Sequence, residues 1–162
     1  MATPKNDERY KIVATNRRAS FKYEILDTYE AGMMLTGPEV KSLRAANANL
    51  QDGFVRIEGE KVLLMNVHIA PYSYGSLHVV QEPTRTRMLL LNKNEINRLM
   101  GKTITKGLTI IPLEIYFNKR GKAKIKIALA KGKRGPDRRE DIKKKTVQRE
   151  MARDFSGRHR VR

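Results

Sequence analysis

Lys122-Ala-Lys-Ile-Lys-Ile-Ala-Leu129 alternates charge and hydrocarbon with a period of two. Ala123, Ile125, Ile127 and Leu129 take one face of an extended strand, and Lys122, Lys124 and Lys126 take the other. Just upstream, Asn118-Lys-Arg-Gly121 reads as a turn and Leu108 to Phe117 as the partner strand. Pro112 has no N–H to give a ladder, which predicts an edge position or a bulge. Working outward, Gly53–Ile57 and Lys61–Val67 flank Glu58-Gly-Glu60 as a hairpin. Phe21, Tyr23 and Ile25 alternate with Lys22 and Glu24 up to an expected turn at Glu30-Ala31-Gly32. Two helices interrupt the strands. Pro38–Ala46 follows Thr36-Gly37, with Glu39 at capping-box spacing. Asn92–Met100 opens with Asn92 as N-cap and Glu95 three residues on, and Gly101 is its expected stop. Residues 70–87 show no periodicity and predict a long link. The pattern predicts a mainly β chain: a small OB-like β-barrel with short helices and a basic C-terminal tail.

The 162 residues carry 34 Lys and Arg against 17 Asp and Glu, a net charge of +17. That surplus points to a polyanionic partner: RNA, DNA or an anionic membrane surface. The charge is uneven. Residues 131–162 hold 13 Lys or Arg against 5 Asp or Glu, a net of +8, whereas the first 130 residues together reach only +9. The expected organisation is a short disordered arm over residues 1–10, a body over 11–130, and a tail over 131–162 that is disordered when free. Within the tail, Gly135-Pro136 breaks the chain and Asp137 with Glu140 marks a helix start. Val147, Met151 and Phe155 recur every four residues, a stripe narrow enough that the helix should form only against a partner. With no Cys, disulfides, thiolate zinc and a cysteine nucleophile are excluded. No run of 18 apolar residues occurs, and the polar N-terminus predicts no export signal.

Catalytic chemistry is hard to find. His68, His78 and His159 are isolated, with no metal-ligand spacing, and GxSxG is absent. Gly101-Lys102-Thr103 lacks the earlier glycine of a phosphate-binding loop and follows a helix instead of opening one. The expectation is a non-enzyme without metal or cofactor. The basic groups carry more. Alternate strand residues lie about 6.5–7 Å apart, so Lys122, Lys124 and Lys126 form either a phosphate stripe or a solvated face. Arg17-Arg18, Lys41 with Arg44, and Arg85 with Arg87 are open in the same way; together with the tail they favour nucleic acid.

Longer strings are more specific. Tyr29-Glu-Ala-Gly32, Gly37-Pro-Glu-Val-Lys-Ser-Leu-Arg-Ala45 and Pro83-Thr-Arg-Thr-Arg-Met-Leu-Leu-Leu-Asn92 closely resemble the small protein B family of SsrA-binding proteins. So do Ile111-Pro-Leu-Glu-Ile-Tyr-Phe117, Ala128-Leu-Ala-Lys-Gly-Lys133, Asp137-Arg-Arg139 and Asp141-Ile-Lys143. The resemblance implies an OB-like barrel that binds the tRNA-like domain of transfer-messenger RNA and rescues stalled bacterial ribosomes. It also implies elongation factor Tu with GTP as a companion on the charged RNA, a cytoplasmic location and a monomer. Carried onto this chain, the RNA-binding motif is Asn16, Glu30, Ala31, Gly32, Leu90 and Asn92, with Arg17, Arg18, Lys41 and Arg44 as phosphate contacts. Lys122, Lys124, Lys126, Lys131 and Lys133 join them as basic RNA contacts. The ribosome-engaging tail comprises Asp137, Arg138, Arg139, Ile142 and Lys143, with Met151 and Phe155 resting on helix periodicity. It is implied to enter the decoding centre and empty message channel as a helix. The family's Asp-Lys-Arg reads Asp-Arg-Arg here, which keeps charge but alters hydrogen-bond geometry. Glu30 is the odd member: a carboxylate on a phosphate-binding face is repelled unless it accepts from base or ribose donors. Asn92 has a second reading as the cap of its helix.

Overall fold

The computed structural model describes residues 9–74, 80–133 and 135–158. In chain order the elements are β1 (Arg9–Thr15), α1 (Ala19–Lys22), β2 (Tyr23–Met33), α2 (Gly37–Arg44), β3 (Ala48–Asn49), β4 (Phe54–Glu58), β5 (Lys61–Met65), β6 (His68–Ile69), β7 (Arg87–Leu90), α3 (Lys93–Lys106), β8 (Thr109–Asn118), β9 (Ala123–Gly132) and α4 (Gly135–Arg158). Successive antiparallel pairings join β8 to β4, then β5, β7, β2 and β9, and β9 returns to β8. The six strands close on themselves, which removes the open edges an isolated sheet would expose. This is the mainly β, OB-like barrel with short helices that the sequence pattern predicts.

Ile115, Ile125, Ile127, Leu129, Val62, Leu64 and Leu89 fill the barrel. Each buried aliphatic side chain contributes about 1.5–3 kcal/mol of transfer free energy. Alternation therefore does what the strand 122–129 predicts: its odd-numbered residues go inside. Beyond Lys126 the outer face changes character. Ala128 and Ala130 point away from the barrel yet are buried with Ile111 beneath Ala19 of α1.

β8 pairs with β9 along one edge and divides its other edge between β4, at Ile110, and β1, from Glu114 to Asn118. Pro112 sits at the changeover, beside a register shift between Pro112 and Glu114, so the proline marks a bulge as predicted. Asn16 secures it. Its backbone N–H donates to the Leu113 carbonyl at 2.7 Å, and its side-chain amide donates to the carbonyls of Pro112 at 3.1 Å and Leu50 at 3.4 Å.

Gly59 opens the two-residue β4–β5 turn with φ +61°, a left-handed conformation that glycine takes without strain. α2 and α3 both start on capping boxes: Glu39 accepts from the Thr36 backbone N–H at 2.9 Å and Glu95 from that of Asn92 at 3.1 Å. α2 is further pinned by Arg87, which is 0% exposed. Its Nε donates to Glu39 Oε1 at 2.8 Å, and its other nitrogens donate to the carbonyls of Val67 at 2.8 Å and Pro83 at 3.0 Å. Arg85 donates to the other oxygen of Glu39 at 2.8 Å.

Several local expectations change. Glu30-Ala31-Gly32 is not a turn but continuous strand near the end of β2, paired with Lys126, Ile125 and Lys124. Phe21 belongs to α1, not to the strand. Gly101 lies inside α3, which runs on to Lys106 and ends at Gly107 with φ +59°; an interior glycine costs only about 1 kcal/mol, and the next residue, Lys102, pairs with Asp27 of β2 at 3.3 Å. β1, β3, β6 and β7 had no counterpart among the expected strands. β1 begins at Arg9, inside the expected arm, whose first eight residues lie outside the described ones. Lys131 and Gly132 still belong to β9, paired with Glu24 and Tyr23, so the sheet reaches into the stretch expected as tail.

A candidate nucleic-acid interface across five strands

Two neighbouring rows of outward-pointing residues cross the sheet. In one, Thr15 of β1 faces Glu114 of β8, Glu114 faces Lys126 of β9, and Lys126 faces Glu30 of β2. In the next, Ile12 faces Tyr116, Tyr116 faces Lys124, Lys124 faces Gly32, and Gly32 faces Leu90 of β7. Five strands at about 4.8 Å spacing make a face roughly 19 Å wide. The closing of the ring therefore brings together Glu30, Gly32, Leu90, Lys124 and Lys126 from three separate stretches of chain. Ala31, between two of them, is 1% exposed inside the barrel. Its side chain faces inward, and its burial turns Glu30 and Gly32 outward.

The lysine stripe is not bare positive charge. Lys126 Nζ lies 3.7 Å from Glu114 Oε1 and Lys124 Nζ 3.9 Å from Glu30 Oε1. Long, partly exposed pairs of this kind are worth about 0–1 kcal/mol, so an incoming phosphate can take either lysine at little cost. Glu30 also accepts a hydrogen bond from the Tyr116 hydroxyl. Beside this, Gly32, Met33, Leu35, Val40, Leu90 and Ala123 line a groove with Lys122 and Lys124 on its rim. Leu90 is 54% exposed there, turned outward on β7 as its neighbour Leu89 turns into the core. A Cβ on Gly32 would sit 3.4 Å from that of Leu90, so glycine keeps the groove open.

Other expected contacts lie around the rim or elsewhere. Arg17 borders a hollow with Thr15, Ile25, Glu114 and Lys126, next to exposed Arg18 at the start of α1. Lys41 stands 5.3 Å over the Tyr72 ring and Arg44 5.8 Å over Phe117, both on the exposed side of α2. Asn92 is exposed and caps α3. Lys131 is exposed beyond α1, and Lys133 donates to the Ser20 carbonyl at 3.0 Å and pairs with Asp141. Arg87, one of the ambiguous basic pair, is structural: its guanidinium is wholly buried. Asn16 likewise spends its amide on backbone carbonyls, a role that sequence spacing could not show.

α4 carries Arg139, Ile142, Lys143 and Met151 with exposed side chains. The side chains of Asp137, Arg138 and Phe155 lie outside the described ones, as do His78 and His159. Among the described residues no three His, Asp or Glu converge in a metal-binding cluster. Nor is any described helix long and apolar enough to cross a membrane.

Comparison with known proteins gives this face its context. An SsrA-binding protein of Pelotomaculum thermopropionicum is 55% identical over 151 residues, covering 93% of this chain and 97% of its own. One from Desulforamulus reducens is 48% identical over 156 residues, 96% of each chain. Among solved structures, a chain from "tmRNA-SmpB: a journey to the center of the bacterial ribosome" is 51% identical with a TM-score of 0.64, covering 76% of this chain and 85% of that one. The profile of the SmpB protein family matches residues 13–157, taking in the end of β1, the whole of the other four strands of the face and most of α4, and the chain belongs to that family.

Proposed function

We propose that this protein is an RNA-binding adaptor for ribosome rescue. It binds the tRNA-like domain of transfer-messenger RNA and brings it to stalled bacterial ribosomes for trans-translation. The observation that carries the reading is the five-strand face, where Glu30, Gly32, Lys124, Lys126 and Leu90 converge with cations on the rim. An exposed apolar groove beside lysines suits an unpaired base next to its phosphate, and a carboxylate among them suits ribose or base donors. Asn92, exposed where β7 leads into α3, borders the same region, and Arg17, Arg18, Lys41 and Arg44 supply phosphate contacts around it. The protein works as a cytoplasmic monomer and not as an enzyme. It travels with elongation factor Tu and GTP through the charged RNA. Its tail, with Arg139, Ile142, Lys143 and Met151 exposed along α4, occupies the decoding centre and the empty message channel.

The test is competition. Labelled tRNA-like RNA on the protein should resist displacement by bulk tRNA at a large molar excess; equal displacement by both would reduce the protein to a general RNA binder.

A further inference from the structure

The hairpin tip between β8 and β9 carries two cations that neither the lysine alternation nor the family motif includes. Asn118, Lys119, Arg120, Lys124 and Glu30 enclose a cleft of about 380 Å³, within the roughly 300–1,000 Å³ of small-molecule sites. The tip is built to hold its shape. Asn118 Oδ1 accepts from the backbone N–H of Arg120 at 3.0 Å and of Lys122 at 2.9 Å. The Gly121 N–H donates to the Asn118 carbonyl at 2.9 Å, and Gly121 takes φ +72°. Asn118 is thus spent on the turn, while Lys119 and Arg120 stand exposed at its end. Across the cleft, Glu30 is fixed by the Tyr116 hydroxyl, with Lys124 3.9 Å from its other oxygen.

The charges decide what fits. Three cations surround one carboxylate, so the occupant must bring negative charge and also a hydrogen-bond donor. A free phosphate satisfies the cations but sets its own negative charge against Glu30 and carries no second group to span the cleft. A nucleotide within an RNA strand meets both demands, with its phosphate for the tip and a ribose 2′-hydroxyl or base N–H for Glu30. The need for the tip follows from the face itself: Lys126 and Lys124 already stand 3.7 and 3.9 Å from Glu114 and Glu30, so part of the stripe's charge is offset before a phosphate arrives. We infer that the β8–β9 tip is a nucleotide clamp, in which Lys119 and Arg120 grip the phosphate of a residue whose ribose or base reaches Glu30.

This rests on the RNA-adaptor reading, and the two can fail separately. Full-length protein carrying Lys119→Ala and Arg120→Ala is titrated with the tRNA-like RNA over a salt series, with Arg56→Ala on β4 as a control for lost charge. The double variant should bind about tenfold more weakly at low salt, with the slope of log K against log salt shallower by about 1 to 2. Lys119→Glu with Arg120→Glu should deepen the loss, and Arg56→Ala should change affinity less than about twofold. Circular dichroism should show the barrel intact in each. Wild-type affinity and slope in the double variant, or an equal loss in Arg56→Ala, overturns the clamp and leaves the adaptor reading standing. Failure of wild-type protein to prefer the tRNA-like RNA overturns the adaptor reading instead.

Discussion

Asn16 has its side-chain amide committed to the carbonyls of Pro112 and Leu50, so a motif asparagine here does architectural work. Glu30 is its opposite: it is exposed, and its lysine partner lies at the limit of an ion pair. Asn92 stands between them, exposed but at the head of α3. Truncation to alanine should separate the three. Asn16→Ala should cost about 1–2 kcal/mol in urea unfolding, because a carbonyl at the bulge loses its donor. Asn92→Ala should cost about 1 kcal/mol through its cap. Glu30→Ala should stay within about 1–2 kcal/mol of wild type, since its firmest tie to the fold is the hydrogen bond from the Tyr116 hydroxyl, while weakening RNA binding several-fold in titration. A Glu30→Ala variant destabilised beyond that would make Glu30 a structural residue. The sequence motifs marked all three positions but could not divide them, since local spacing says nothing about carbonyls 34 and 96 residues away in the chain.

Among the elements, α2 depends on a charge cluster that no alternation pattern announces. Burial pushes the Glu39 carboxyl up, but hydrogen bonds from Arg85 and the Thr36 N–H, with the Arg87 charge, outweigh it and hold the group below its ordinary value of 4.5. A carboxyl lowered in the folded state stabilises the fold fully above that ordinary value, and the contribution drains away as pH falls through the lowered one. Denaturation midpoints measured from pH 7 downward should therefore drop below about pH 4.5, and Glu39→Gln should flatten that drop. Arg87→Met should cost about 3 kcal/mol or more, because it leaves a buried carboxylate one guanidinium short; a midpoint unchanged by Arg87→Met would contradict the pin. β9 is legible through its alternation, and β4, β5 and β8 through short apolar runs bounded by turn residues. β2 was legible only in part: its inward residues Tyr29 and Ala31 are too few to announce the strand, and Gly32 reads locally as a turn. α1 was missed because its four residues act by covering Ala128 and Ala130, a relation that exists only after folding.

For the whole molecule, the +17 surplus divides between a face and a helix that the chain joins through Gly132 and Lys133. Protein cut after Lys133, so that β9 stays whole, should bind tRNA-like RNA within a few-fold of full length yet fail to support peptide tagging on stalled ribosomes. A large loss of affinity would place RNA capture in α4. The barrel class was readable from periodicity and turns; the identity of the binding face was not, because it is assembled by register between strands far apart in sequence. That closure has a consequence for how the chain is made. β4 emerges at Phe54, but its ring is sealed only when β9 ends at Gly132, 78 residues later. At about 5–20 residues per second, that is roughly 4–16 s. During this interval the apolar faces of β4, β5 and β7 wait on the ribosome without their final neighbours, a window in which a chaperone would find its substrate.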